Sequence, residues 1–173
     1  MKLTIIICFT FLWLEIFALR GIQYRRQRRR QQEILRFETS FQGPTGQNGN
    51  MFDIQVLHSD GITIMSMDLH LKSNKEVVEG YQIYVREGGS FSESEMPWVM
   101  LGCARMISNG PYTPSALPSG GMRRVSVEKD GILGIYVTLT TNPSSFLNYS
   151  YGDGIVGHPS NNYVNEDIQL FEV

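Results

Sequence analysis

Cysteine is scarce: the 173 residues hold two, Cys8 and Cys103. A disulfide-stapled scaffold is therefore excluded as the source of stability. Three histidines at no mutual ligand spacing, and a lone cysteine outside the apolar leader, offer no zinc set. Cys103 has no histidine or acid at a motif spacing that would activate it as a nucleophile. There is no EF-hand, no glycine-rich calcium repeat and no internal repeat. No amphipathic helical period follows about Phe37. No catalytic residue is assigned, because the acids are numerous and no spacing singles out the pair a glycosidase needs.

The positive signals begin at the N-terminus. An uncharged run, Leu3–Leu14 (LTIIICFTFLWL), follows Lys2 and precedes Glu15 and Ile16-Phe17-Ala18-Leu19. Signal-peptide cores take about 7–15 apolar residues and spanning helices roughly 20. Length favours a signal peptide. The cleavage pattern at Ile16-Phe17-Ala18 lacks the small-x-small form, which keeps an uncleaved anchor over residues 1–19 open. Basic flanks prefer the cytoplasm, yet short leaders and long following domains translocate, so the domain is expected outside, secreted or anchored.

Charge divides the rest of the chain. Residues 20–36 carry seven arginines against Glu33, whereas residues 37–173 hold seven basic against fifteen acidic residues, a net of −8. An acidic domain thus follows a basic stalk, residues 20–45. The stalk's run Arg25–Arg30 suits lipid headgroups, or is a solvated linker. The acidic body argues against nucleic acid as the partner.

The body, residues 46–173, reads as about eight strands between turn signals. Phe52, Ile54 and Val56 alternate with polar neighbours, as do Met65, Met67, Leu69 and Leu71, and Tyr81, Ile83 and Val85. Further strands are expected over 98–107, 123–128, 132–141, 146–151 and 167–173. Strand phase puts Cys103 with Val99 and Leu101 as a small buried hydrophobe, and His70 with Asp68 on the outward face. Asp60-Gly61, Gly88-Gly89, Asn109-Gly110-Pro111, Gly120-Gly121, Asp130-Gly131 and Asp153-Gly154 are turns. The expected fold is all-β, an antiparallel β-sandwich or jelly roll.

From Asn48-Gly49-Asn50-Met51-Phe52-Asp53 onward the sequence is similar to an extracellular β-sandwich module that recurs in secreted and surface proteins of diatoms and marine bacteria. The matching segments are Ile62-Thr63-Ile64, Asp68 with His70, Tyr84 to Phe91, Met96-Pro97-Trp98-Val99, Pro114 to Pro118, Gly131 to Leu139, and Asn165 to Leu170. The resemblance spans about Gly46 to Val173 and implies the sandwich fold. It brings no catalytic residues.

Aromatic, amide and acidic side chains gather near Asn148–Asn165. Tyr151, Asp153, Asn161 and Tyr163 supply rings for stacking on a sugar and polar groups for its hydroxyls, on loops where binding groups collect. Asn148-Tyr149-Ser150 is a glycosylation sequon, which makes Asn148 an acceptor in a secreted eukaryotic chain. Asp53, Asp60, Asp130, Asp153, Glu166 and Asp167 leave a structural calcium open; no other cofactor is expected. The leading expectation is a non-enzymatic surface module that binds carbohydrate or protein. Its rivals are an atypical secreted hydrolase and a membrane-tethered structural domain with its basic stalk on lipid headgroups.

If the leader is cleaved, N-terminal sequencing of the mature protein should read a start between about Leu19 and Gln31. Intact Met1 in a soluble cytosolic fraction would overturn the membrane-directed reading.

Overall fold

Strands that alternate apolar and polar residues need a sheet with one hidden face, and the longest strands of this chain make one. The computed structural model describes Phe37 and residues 45–90, 96–141, 146–149 and 159–171. The chain divides into two units, Met1–Glu38 and Thr39–Val173. The leader and nearly all of the basic stalk lie outside the described residues. Among the described residues, no helix is long and apolar enough to cross a membrane.

The fold is all-β, and the strands pair antiparallel. In chain order the strands are β1 (Thr45–Gln47), β2 (Gly49–Val56), β3 (Ile62–Ile64), β4 (Asp68–His70), β5 (Val78–Glu87) and β6 (Val99–Ile107). Then come β7 (Pro114–Ala116), β8 (Val125–Val127), β9 (Ile132–Leu139), β10 (Leu147–Tyr149), β11 (Pro159–Val164) and β12 (Ile168–Phe171). Twelve strands thus occupy the described residues, against about eight expected. Six are three residues long, too short to display a period in the sequence.

Six strands form one sheet in the order β11-β12-β2-β9-β5-β6. Register sorts their side chains into two faces. Tyr81, Ile83 and Val85 of β5 stand opposite Leu139, Val137 and Ile135 of β9, and β9 in turn sets Leu133 opposite Ile54 of β2. All of these are buried, and β12 continues the layer with Ile168 opposite Val56. Each aliphatic side chain so buried contributes about 1.5–3 kcal/mol relative to exposure. This inner face is the core.

The short strands form three ribbons, β1 with β10, β3 with β8, and β4 with β7. A single bridge, Leu71 to Leu147, joins the β4–β7 ribbon to the β1–β10 ribbon, beside the bond from the Lys72 amide to the Phe146 carbonyl at 2.9 Å. Leu69, Leu71, Leu117, Met122 and Leu147 of this region are buried. The segment after β7 lies on the inner face of the large sheet. There the Tyr81 hydroxyl donates to the Gly121 carbonyl at 3.0 Å, and a side chain on Gly102 would strike the backbone of Gly121 and Met122. Burial, with a smaller contribution from Cys103, raises the Tyr81 phenol above its ordinary range.

Three expectations are corrected. Met65–Leu71 is not one strand: residues 65–67 lie outside any strand and join β3 to β4, which belong to different ribbons, and Met65 is exposed. His70 does not face outward; Leu69, His70 and Leu71 are buried in succession, because the short ribbon is enclosed on both sides. Cys103 is exposed rather than buried. The cause is a bulge in β6. Tyr84 pairs with Met100 but Ile83 with Gly102, so Leu101 is the extra residue. Past it the phase inverts, and Gly102, Ala104 and Met106 face inward.

The bulge makes two neighbouring residues respond differently. In the fragment Thr39–Val173, which should show β-type circular dichroism and one cooperative melt, Gly102→Ala should cost about 1–3 kcal/mol. Cys103→Ser should stay within about 0.5 kcal/mol. Equal shifts in the urea midpoint would overturn the inverted phase.

Candidate functional site

The outer face of the large sheet carries aromatic side chains where a half-buried sheet ordinarily presents polar ones. Register places Tyr84 of β5 directly across from Tyr136 of β9. Their rings stack at 6.2 Å between centroids with 28° between planes. Trp98, just before β6, meets Tyr136 edge-on at 6.3 Å and 67°. All three rings are half-buried, and Met51 and Met100 beside them are exposed. Offset and edge-to-face pairs of this kind contribute about 0.5–1.5 kcal/mol beyond burial.

Two features fix the rings. The phenol end of Tyr136 occupies the space of a missing side chain on Gly49, where a Cβ would come within 2.7 Å of the Tyr136 oxygen. The Tyr84 hydroxyl donates to Gln82 Oε1 at 3.0 Å, which leaves the Gln82 amide nitrogen as that side chain's donor. Thr138 extends the polar part of the face on β9 and donates to the Asn48 carbonyl at 3.3 Å.

One end of this face is closed by a polar clamp. Asp53, Gly134 and Arg86 stand in one row across β2, β9 and β5. The backbone amide of Ser90 comes down over Gly134 and donates to both carboxylate oxygens of Asp53, at 2.9 and 3.0 Å. Arg86 Nη1 donates to the Ser90 carbonyl at 3.4 Å. Asp53 is buried, and only a glycine between it and Arg86 leaves room for the incoming loop.

A second polar region lies where β4 and β7 meet the turns after β6. His70 is 7 % exposed, and its ring sits 5.9 Å from that of Tyr112, tilted by 58°. Tyr112 is itself exposed and held at φ 61°, the left-handed region that side chains rarely enter. Ser108 Oγ donates to the Ser73 carbonyl at 3.0 Å and accepts from the Gly110 amide at 3.1 Å, while Ser115 Oγ accepts from the Asn109 amide at 2.9 Å. These bonds knit the turns together and account for the buried hydroxyls of Ser108 and Ser115 as structure.

The residues singled out from the sequence are dispersed or lie outside the described residues. Tyr151 and Asp153 lie outside them. Asn161 and Tyr163 fall in β11, the edge strand opposite β6, rather than in a loop, and Tyr163 is half-buried. Asn148 pairs with Gly46 in β10. Of the carboxylates considered for calcium, Asp53 is engaged by Ser90, Asp60, Asp130 and Glu166 are exposed in turns, and Asp167 lies 3.9 Å from His58. Among the described residues, no group of three or more histidine, cysteine, aspartate or glutamate side chains is placed to hold a metal ion.

Tyr84 and Tyr136 are not among the site residues singled out from the sequence, although a signal for them exists. Their signal is phase: Tyr84 alternates in step with Gln82 and Arg86, and Tyr136 with Gly134 and Thr138. An aromatic residue in the polar phase of a strand is one the sheet leaves on its wet side. No family model, curated protein or solved structure matches this chain.

Burial holds the His70 imidazole below its ordinary value of 6.5. The unfolded chain regains that value and binds more protons, so stability is lost as pH falls below about 6.5. The urea midpoint should drop from about pH 7 to about pH 5.5, and His70→Gln should flatten that drop. An unchanged slope in the variant would refute the assignment to His70.

Proposed function

We propose that this chain is a non-catalytic cell-surface module that binds a glycan on the aromatic outer face of its large sheet. In this reading the ribbons form the second layer of a β-sandwich or jelly roll, supported by the Leu71–Leu147 bridge between two of them. The N-terminal segment delivers the body to the outside, secreted or anchored, and Arg25–Arg30 lie close to lipid headgroups where the segment is retained.

The single observation that carries the glycan reading is the cluster of Tyr84, Tyr136 and Trp98 on a solvent-facing sheet surface. Flat rings take the apolar faces of sugars, and neighbouring amide and hydroxyl groups such as Gln82 and Thr138 take their hydroxyls. Exposing rings in this way costs hydrophobic stabilisation, which is the usual mark of a contact surface. A second reading, contact with another protein, rests on the exposed edge strand β6, where Val99 is 50 % and Ile107 62 % exposed.

Glycan-array binding tests the proposal. Trp98→Ala and Tyr136→Ala should each weaken binding at least about tenfold, or about 1.4 kcal/mol. Alanine at Tyr151, Asp153, Asn161 and Tyr163 together should leave it intact. The reverse pattern would move the site to the segment around β11. Binding to no glycan would overturn the carbohydrate reading in favour of protein contact at β6.

A further inference from the structure

The arginines of the body gather on the side of the large sheet that carries the aromatic face. Residues 37–173 hold four arginines, Arg86, Arg105, Arg123 and Arg124, within a net charge of −8. All four lie on β5, on β6 or on the segment that crosses the β6 edge. Arg105 pairs with Gly80, which places it on the outer face in phase with Cys103, and it is exposed. The Arg123 amide donates to the Leu101 carbonyl at 3.0 Å and its guanidinium to the Met100 carbonyl, so this arginine is fixed beside Tyr84's cross-strand partner. Arg124 follows it and is exposed. Arg86, held on the Ser90 carbonyl, bounds the other end.

Acids are correspondingly rare on this surface. Among the described outer-face positions of β12, β2, β9, β5 and β6 there is one, Asp53, and it is buried with its oxygens on the Ser90 amide. Exposed acids such as Asp60, Glu128, Asp130 and Glu166 stand instead in the turns beyond the ends of β2, β9 and β12. Glu93 and Glu95 lie outside the described residues.

Resting on the glycan reading, we infer that the ligand of this face is an anionic saccharide chain, carboxylated or sulfated, with its rings on Tyr84, Tyr136 and Trp98 and its acid groups on Arg105 and Arg123. From Trp98 to Arg105 the bulged strand advances six steps, about 20 Å, which is the reach of an oligosaccharide rather than one sugar. Guanidinium forks pair with planar carboxylates and with sulfate oxygens through two parallel bonds, which an ammonium does not match. Single-stranded nucleic acid also combines rings with negative charge. Binding to single-stranded DNA is therefore a separate outcome of the test, one that would overturn the saccharide inference.

The test compares affinities of the full chain for polygalacturonate, a sulfated galactan, a neutral β-glucan and single-stranded DNA of similar length. A second preparation with arginines 25, 26, 28, 29 and 30 changed to Gln removes the contribution of the basic run. The two anionic glycans should bind at least about tenfold more tightly than the neutral one in both preparations, with the preference shrinking toward 1 M salt. Arg105→Gln with Arg123→Gln should abolish that preference; Arg105→Lys with Arg123→Lys should restore only part of it. Trp98→Ala should weaken all glycans. These exposed arginines are not core residues, and unchanged melting of the variants separates lost binding from lost folding.

Equal, Trp98-dependent binding of neutral and anionic glycans would overturn the anionic inference and leave the glycan reading standing. Preference that vanishes with the basic run, that ignores Trp98, or that is matched by DNA would also overturn it. Binding to no glycan would remove both.

Discussion

Strand β9 is paired along nearly its whole length, to β2 on one side and β5 on the other, and that double pairing organises the large sheet. A strand bonded on both edges cannot slip without breaking two ladders at once. Its register therefore decides which residues of three strands share a face. Leu133, Ile135, Val137 and Leu139 point inward, and Gly134, Tyr136 and Thr138 outward. Burial against Ile54 on one neighbour and Ile83 on the other stabilises only this phase. The core and the aromatic surface are thus two consequences of one register: the constraint that hides four aliphatic side chains also holds Tyr136 across from Tyr84.

Those long strands are also the readable part of the sequence. Tyr81-Gln82-Ile83-Tyr84-Val85-Arg86 repeats with period two for long enough to declare a strand and its buried side. The bulge at Leu101 is not readable, since nothing in Val99–Ile107 marks where one residue is skipped by its partner. Uninterrupted alternation consequently assigns Cys103 to the wrong face. The ribbons escape sequence reading for a different reason. In β4 both Leu69 and His70 are enclosed, so the pattern of apolar and polar residues no longer reports burial. Long-range contacts between short segments, such as the Leu71–Leu147 bridge, leave no local trace at all. The candidate site is half legible for the same cause: the rings on β5 and β9 sit in a clear phase, whereas Trp98 joins them only because β6 folds back beside β5.

Asp53 and Ser90 show how separated motifs become one device. The carboxylate ends a stretch, Asn50-Met51-Phe52-Asp53, that also supplies an outer-face methionine, and Ser90 follows the Gly88-Gly89 turn. A buried carboxylate loses hydration on folding and requires compensation of comparable size. Here two bonds from one amide supply part of it, and Gly134 supplies the room. Because the loop arrives across β9, it ties the end of β5 back to β2 over the strand between them.

The outer face stands in a different energetic relation to the fold. Gly49 weakens strand β2 by its lack of a side chain and by its unfolded-state freedom, at roughly 0.5–1 kcal/mol against alanine. The space it leaves is filled by the Tyr136 phenol, which trades a side chain that could pack for a ring laid across two strands. Polar residues at positions 84, 98 and 136 would leave the inner core untouched and would hydrate the surface more favourably. The rings instead compensate one another through the stacked and edge contacts at 6.2 and 6.3 Å, which limits the cost without hiding them from solvent. Stability alone does not select such a surface. A ligand that covered the rings would recover the hydrophobic free energy left unused in the free protein, and arginines at its margin would favour an anionic one by charge as well as by shape.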